Sequence, residues 1–202
     1  INDVSVGPDD RVWLALGTYY DPPIGAAVLL SNTTWLTYSA ATSGLLNDHV
    51  VRIAPDAKGN VWFAHPAWDD DLDDYSGGLS VLRADDTWIT YTTANSNLLT
   101  GSPTGLAVDA DGNVWVAGDG LSQLRAVDQK WITYTTANSP LLTDSPTDVA
   151  VDASGDVWVA GAGLSRLQAG SWLTYTTANS DLQSDQIEHL TVAADGRIWA
   201  DA

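Results

Sequence analysis

Short apolar stretches separated by polar turns run through the whole chain. Residues 103–136 show the pattern clearly, because four apolar runs alternate there with the turns ADGN, GDG and VDQK. Runs rich in Val, Ile, Trp, Tyr and Thr that are bounded by Gly, Asn and Asp are typical of β-strands joined by hairpins. The pattern predicts four antiparallel strands, over residues 103–109, 114–117, 121–126 and 131–136.

The same unit recurs along the chain. A turn followed by a Val-Trp or Ile-Trp pair returns roughly every 40 to 50 residues, a period that is typical of repeat architectures, and its tryptophans are Trp13, Trp62, Trp115, Trp158 and Trp199. The repeat predicts four-stranded blades at about 1–49, 50–102, 103–145 and 146–186, and a partial blade at 187–202.

Strands such as residues 114–117 (VWVA) are apolar on both faces, so each face needs another sheet packed against it. Radially stacked blades provide this packing, and the sequence therefore predicts an all-β fold, a single β-propeller domain or a fragment of one; a β-solenoid is the alternative. The last repeat holds only two strands, which fits either a window cut from a larger ring or a five-bladed ring with an incomplete blade. Since the chain begins at Ile1 and contains no methionine, we expect a processed chain or a piece of a longer one.

Composition narrows the classes of partner. The net charge is −18, with 26 acidic and 8 basic residues, so phosphate backbones and anionic lipid surfaces are repelled and nucleic-acid partners are disfavoured. No apolar run is long enough to span a bilayer, and we expect no membrane insertion. Cysteine is absent, which removes thiol nucleophiles and cysteine zinc sites.

Two conspicuous features have structural interpretations. Nine of the ten tryptophans occupy only two positions of the repeat, and we predict that they pack between blades. They are Trp13, Trp62, Trp115, Trp158 and Trp199 in the second strand, and Trp35, Trp88, Trp131 and Trp172 in the fourth. The segment DADGN at 109–113 resembles the start of a calcium loop, but no glutamate follows at the required distance, and we predict a turn in which Asp109 caps its own backbone.

The repeat resembles a known family. The unit GNVWVAGDGLSQLR (112–125), followed by an aromatic residue, Tyr134 and the segment ANSPLL (137–142), is similar to the two-component-regulator propeller repeat. The resemblance covers the whole chain and implies a β-propeller from an extracytoplasmic sensor, located outside the cell, in the periplasm or at the cell surface. Some members of this family are similar to oligosaccharide sensors. Similar repeats also occur in streptogramin-lyase-like propellers, so a lyase is a third, weaker hypothesis.

Two insertions break the repeat. Blades three and four join their second and third strands by short glycine turns, whereas blade one inserts residues 18–25 and blade two inserts residues 65–78. In an antiparallel meander both insertions lie at the same end of the sheets, and loops of this kind on a rigid scaffold are frequent binding sites. We therefore predict ligand contacts by a small set of residues, namely Tyr19, Tyr20, His65, Trp68 and Tyr75.

Two ligand chemistries fit these insertions. Aromatic rings beside carboxylates and amides suit a saccharide, whose C–H faces stack on rings while its hydroxyls form hydrogen bonds. The acidic residues of the second insertion could instead bind calcium, or could be a solvated acidic surface without a ligand. These residues are Asp69, Asp70, Asp71, Asp73 and Asp74.

Support for catalysis is thin. The chain has three histidines and no cysteine, and only His65, beside the acidic insertion, could act as a base or a metal ligand. We therefore predict a non-enzymatic binding module without a required cofactor, whose partner is a carbohydrate or a protein. The alternative is a structural or interaction subunit of a larger assembly.

Overall fold

The computed structural model describes residues 1–17, 24–30, 33–70, 73–75, 77–193 and 195–201, with the backbone alone for 68–70 and 73–75. Every regular element in this described part is a β-strand. The strands divide between two compact units, Ile1–Pro103 and Thr104–Ala202. No helix among the described residues is long and apolar enough to cross a membrane.

The first unit contains two four-stranded antiparallel sheets and one hairpin. The first sheet is formed by β1 (Asp3–Val6), β2 (Val12–Ala15), β3 (Ala26–Leu29) and β4 (Trp35–Tyr38). The second sheet is formed by β5 (Arg52–Pro55), β6 (Val61–His65), β9 (Gly78–Leu82) and β10 (Trp88–Tyr91), and the hairpin by β7 (Trp68–Asp70) and β8 (Asp73–Tyr75).

The second unit contains two further four-stranded antiparallel sheets and a two-stranded one. The third sheet is formed by β11 (Gly105–Val108), β12 (Val114–Gly118), β13 (Gly120–Leu124) and β14 (Trp131–Tyr134). The fourth sheet is formed by β15 (Asp148–Val151), β16 (Val157–Gly161), β17 (Gly163–Gln168) and β18 (Ser171–Tyr175), and the fifth by β19 (His189–Val192) and β20 (Ile198–Asp201). The predicted all-β fold class, with four full blades and half of a fifth, is confirmed.

Each unit has its core between successive sheets. In the first unit, Trp13 and Val28 of the first sheet pack against Ile53, Val61 and Phe63 of the second. We call the side of a sheet that faces its predecessor in the chain the leading face, and the opposite side the trailing face.

In the second unit the fourth sheet is covered on both faces. Its leading face, which includes Val157 and Val159, packs against Trp115 of the third sheet. Its trailing face, which includes Ala160, packs against Leu190 of the fifth. This two-sided burial explains why the central strand β16 (VWVAG) is apolar at every position.

A recurring turn sets the hairpin between the first two strands of a blade. The carboxylate of Asp109 accepts hydrogen bonds from the backbone N–H groups of Asp111 (3.1 Å) and Asn113 (2.8 Å), and from the indole Nε1 of Trp115 (3.2 Å). Gly112 in this turn has φ +87°, a conformation that favours glycine. The predicted capping role of Asp109 is therefore confirmed.

The prediction that all nine repeated tryptophans pack between blades is wrong for two of them. Trp35 is 50% exposed and Trp199 is 59% exposed. Trp35 lies on the leading face of the first sheet, and within its unit the described sheets pack only on the other face. Trp199 belongs to the fifth sheet, which in the described part of the chain has two strands. The equivalent Trp158 stacks at 5.9 Å on Tyr175, a residue of the fourth strand of its sheet.

Candidate functional site

The connection between the first and second sheets is the centre of the candidate site. Asn47 is 2% exposed, and its Oδ1 accepts the backbone N–H of His49 at 2.9 Å. The same Oδ1 lies 3.2 Å from Nδ1 of His65. A buried polar group needs hydrogen-bond partners, and the side chain of Asn47 has them in its own turn and in His65. These contacts hold the connection in place.

His65 is the last residue of β6, where it pairs with Gly78 of β9. The third and fourth sheets have Gly118 and Gly161 at the same register position. The side chain of His65 is 0% exposed, and burial lowers the pKa of its imidazole to about 3, so the ring is neutral near pH 7.

The position of His65 differs from the one predicted for it. The sequence places it on a surface loop as a ligand contact, whereas in the structure it extends β6 into the interior and is closed off from solvent. Its Nε2 has no hydrogen-bond partner within the described part of the chain. A surface ligand cannot reach this ring in the folded state, and His65 instead shapes the connection through Asn47.

The first insertion leaves and rejoins the first sheet beside this connection. A Cβ on Gly17 would lie 2.9 Å from Cδ2 of His49 and 2.7 Å from the backbone nitrogen of Val50. A Cβ on Gly25 would lie 3.4 Å from Cα of Asp48. Both ends of the insertion therefore touch residues 48–50. The predicted contacts Tyr19 and Tyr20 lie outside the described residues.

Asn2 holds the start of this insertion against the connection. Its side-chain Nδ2 donates to the backbone oxygen of Gly17 at 3.0 Å and to that of Val50 at 2.9 Å. One amide thus ties the first sheet to the start of the second, and it does so where the first insertion begins. The sequence pattern did not indicate Asn2, because a single asparagine before a strand carries no distinct signal.

The second insertion contains a hairpin, whereas its sequence pattern predicted a loop. Trp68 lies opposite Tyr75, Asp69 opposite Asp74, and Asp70 opposite Asp73. Aromatic residues favour strands, which accounts for a hairpin that begins at Trp68 and ends at Tyr75. Asp71 lies outside the described residues.

The foot of this hairpin rests on the connection that leaves the second sheet. The backbone N–H of Ala67 donates to the oxygen of Gly101 at 2.7 Å. Gly77 lies so close to Gly101 and Ala67 that an added Cβ would overlap the backbone atoms of both. The hairpin is therefore seated on the second sheet through backbone contacts.

Gly101 also interrupts a regular feature of the repeat. At the equivalent position the other blades have an aspartate whose Oδ1 accepts a backbone N–H from the preceding turn. These bonds are Asp48 to Ala40 (2.6 Å), Asp144 to Thr136 (2.6 Å) and Asp185 to Thr177 (2.7 Å). The replacement of this aspartate by glycine, in the blade that carries the hairpin, is a signal of the hairpin that is visible in the amino-acid sequence.

The groups around the connection are polar and mostly neutral. Partial burial lowers the pKa of His49, so its imidazole is uncharged near pH 7. Among the described residues, no group of three or more His, Cys, Asp or Glu side chains is placed to hold a metal ion. The side chains of Asp69, Asp70, Asp73 and Asp74 are outside that description, so the calcium site suggested by the sequence stays a prediction.

This chain is similar to known proteins in its three-dimensional structure. No protein-family model matches it, and no curated protein does. The solved structures do give matches. The extracellular domain of a protein from B. thetaiotaomicron that is assigned as a hybrid two component system is 17% identical with a TM-score of 0.77, and the match covers 98% of this chain and 26% of that one.

Two further solved structures show the range of proteins that share the fold. PorZ, a surface component of the type-IX secretion system of Porphyromonas gingivalis, is 17% identical with a TM-score of 0.67, over 96% of this chain and 31% of that one. A gluconolactonase from Xanthomonas campestris is 14% identical with a TM-score of 0.64, over 98% of this chain and 67% of that one.

The chain thus spans only about a quarter to a third of the length of the first two structures. At these identities the likeness concerns the fold alone. Together with the four-stranded antiparallel sheets, it confirms the fold that the repeat resemblance implied: the chain has the β-propeller fold found in extracellular domains of two component system proteins.

Proposed function

We propose that the chain is a non-enzymatic binding module of an extracytoplasmic protein and that the insertions of its first two blades contact a saccharide. The observation that carries this proposal is the convergence of the two insertions. The first begins at Gly17 beside His49, and the second follows His65, which contacts Asn47. The two insertions therefore begin beside the same short connection.

The chemistry of the insertions suits an uncharged polar ligand. They contain Tyr19, Tyr20, Trp68 and Tyr75 together with several aspartates. Aromatic rings offer flat apolar surfaces to sugar C–H groups, while carboxylates accept hydrogen bonds from sugar hydroxyls. The net charge of −18 opposes an anionic ligand, which further favours a neutral saccharide.

The extracytoplasmic location is part of the proposal. It is supported by the fold shared with an extracellular domain and with a bacterial surface component. Since this chain spans 26% and 31% of those proteins, a role within a larger protein is also proposed.

An array of neutral oligosaccharides, followed by isothermal titration calorimetry of any that bind, tests the proposal. We expect the double variant Tyr20→Ala/Trp68→Ala to lose at least about tenfold in affinity, because aromatic contacts dominate such sites. The matched control is Trp35→Ala, which removes an exposed aromatic residue of the first sheet outside both insertions and should bind as the unmodified chain does.

Absence of binding to every neutral oligosaccharide would overturn the saccharide proposal, as would equal losses in the double variant and in Trp35→Ala. The non-enzymatic part has its own test. Any bound oligosaccharide is incubated with the protein and analysed by mass spectrometry, and a change in its mass that depends on the protein would contradict that part.

The second candidate function, a structural or interaction subunit, is favoured by one observation. Trp199 of β20 is 59% exposed, and Ala200 and Asp201 beside it are exposed as well. Exposed large aromatic side chains are enriched in interaction sites. A pull-down from the native source, in which Trp199→Ala loses a partner that Tyr20→Ala/Trp68→Ala retains, would support this function over saccharide binding.

A further inference from the structure

The leading face of the first sheet carries an apolar ladder that is partly open to solvent. The cross-strand pairs Val6–Val12, Val12–Leu29 and Leu29–Trp35 run across all four strands. At the two ends of this ladder Val6 is 62% exposed and Trp35 is 50% exposed, and the neighbouring Val4 is 54% exposed.

The fourth sheet has the same ladder in the same register. Its pairs are Val151–Val157, Val157–Leu167 and Leu167–Trp172. Here the ladder is covered by the third sheet. Val157 is only 2% exposed, and Trp172 packs edge-to-face on Tyr134 with ring centroids 5.6 Å apart.

The second sheet repeats the arrangement within the first unit. Its leading face has Val61, Leu82 and Trp88 at the ladder positions, and it is covered by the trailing face of the first sheet. Trp88 packs edge-to-face on Tyr38 with ring centroids 5.8 Å apart. Two independent copies of the ladder are therefore covered in the same way, whereas the first copy is open.

The covering surface has a definite chemistry. In both cases it presents a tryptophan of the second strand stacked on a tyrosine of the fourth strand, as in the pairs Trp13–Tyr38 (5.8 Å) and Trp115–Tyr134 (6.2 Å). An alanine follows two residues after each tryptophan, Ala15 and Ala117, and both are 0% exposed. Small and large residues alternate on this surface, which lets the facing Val and Trp side chains interdigitate.

We propose that the leading face of the first sheet is the docking surface for a further four-stranded blade of the same repeat, present ahead of Ile1 in a longer form of this chain. That blade would bring a stacked Trp-Tyr pair onto Trp35, as Tyr38 does for Trp88 and Tyr134 for Trp172. The solved structures that share this fold leave room for such a blade, because the chain spans 26% and 31% of their lengths.

A second copy of the 202-residue chain fits this surface less well. The open trailing face of the fifth sheet carries Trp199 beside Thr191 and Asp201, and Asp201 takes the place of the buried Ala15. Within the described residues that sheet consists of β19 and β20, and no tyrosine stacks on Trp199 there. A charge of −18 on each copy also opposes self-association.

Because the sequence contains no cysteine, a single introduced cysteine can report whether this face is open to solvent. A copy of the third blade, residues 103–145, is fused directly ahead of Ile1. Ile1 then follows the added blade as residue 146 follows the third blade in the natural sequence. Val6→Cys is introduced as the probe. We expect a water-soluble maleimide to label the probe at least about tenfold more slowly in the fusion than in the 202-residue chain, because docking buries the exposed side chain.

A matched fusion carries Trp115→Asp and Tyr134→Asp in the added copy alone, and there we expect fast labelling to return. Equal labelling of the first fusion and the 202-residue chain would overturn the proposal, and so would equal protection in both fusions. If sedimentation shows that the 202-residue chain self-associates and protects the probe without an added blade, a second copy is the occupant and the proposal is wrong.

Discussion

The imidazole Nδ1 of His65 lies 3.2 Å from Oδ1 of Asn47, and both side chains are buried. In the fourth sheet the corresponding residues are Gly161 and Thr143, where a Cβ added to the glycine would lie 2.5 Å from Cγ2 of the threonine, so the histidine and the asparagine depart from the repeat together. The pair marks the place where the second insertion leaves the sheet. Because His65 is buried as a neutral ring, we expect the free energy of unfolding to depend on pH.

Acid should destabilise the protein through His65. Its pKa is about 3 in the folded chain and near 6.5 when unfolded, so between these values the unfolded state takes up a proton that the folded state refuses. The contribution of His65 to the free energy of unfolding is fully present well above pH 6.5, and it falls by about 1.4 kcal/mol per pH unit well below that value. In urea unfolding we expect His65→Gln to lose about 2–3 kcal/mol less than the unmodified chain between pH 7.5 and 4.5.

His49 contributes in the same direction, because burial also lowers its pKa, so His49→Gln should reduce the loss as well. The control is His189→Gln, an exposed histidine whose Nδ1 lies 3.3 Å from Asp201. That change should leave the free energy of unfolding at pH 7.5 within about 0.5 kcal/mol of the unmodified chain, so it controls for the loss of a histidine side chain as such. A His65→Gln variant with an unchanged pH profile would refute the burial of a neutral imidazole.

Gly77→Ala should displace the hairpin foot. An added Cβ would overlap the backbone of Gly101 and Ala67, which cannot move aside as a flexible side chain could. We expect a loss of at least about 2 kcal/mol in the free energy of unfolding. Gly101→Ala is the matched control, since its Cβ would meet only the Cβ of Ala67 at 3.9 Å and should change stability by less than about 0.5 kcal/mol. Equal losses in the two variants would contradict the seating of the hairpin.

Asp109→Ala should weaken the third blade. The change removes the acceptor of two backbone N–H groups and of the indole Nε1 of Trp115, and we expect a loss of about 1–3 kcal/mol in denaturant unfolding. Asp119→Ala changes an exposed aspartate of the next turn in the same blade and should cost less than about 0.5 kcal/mol. If Asp109 instead served a bound cation, its effect would appear only when that cation is added.

Trp172→Ala and Trp35→Ala compare one repeat position in two environments. Trp172 packs on Tyr134 in the covered ladder, whereas Trp35 is 50% exposed. We expect Trp172→Ala to cost about 2–4 kcal/mol and Trp35→Ala less than about 1 kcal/mol, measured by thermal unfolding followed by circular dichroism. Similar costs would mean that Trp35 is covered in solution by something other than the described sheets.

Much of the fold could be predicted from local pattern. Residues 114–117 were expected to form a strand, and β12 spans Val114–Gly118. Asp109 was expected to cap its turn, and its hydrogen bonds do so. These predictions depend on neighbours in the chain, and a strand period or a turn cap is decided within a few residues.

The candidate site was predicted less completely. The convergence of the two insertions follows from the antiparallel meander, and Gly17 and His65 do lie on either side of the connection that contains Asn47 and His49. The interior position of His65 did not follow, because the strand β6 continues one residue further than its pattern indicates. The hairpin that pairs Trp68 with Tyr75 was also not predicted, because the aspartates between them are typical of loops and not of strands.

The amino-acid sequence by itself determined the repeat, the four-stranded blades and the turns, because each depends on residues close together in the chain. Only the tertiary structure decided which of the equivalent tryptophans are covered by a neighbouring sheet. Trp172 and Trp35 have the same neighbours along their strands, yet one packs on Tyr134 and the other is half exposed. Burial depends on which sheet lies opposite, and that is a contact between distant parts of the chain that no local pattern specifies.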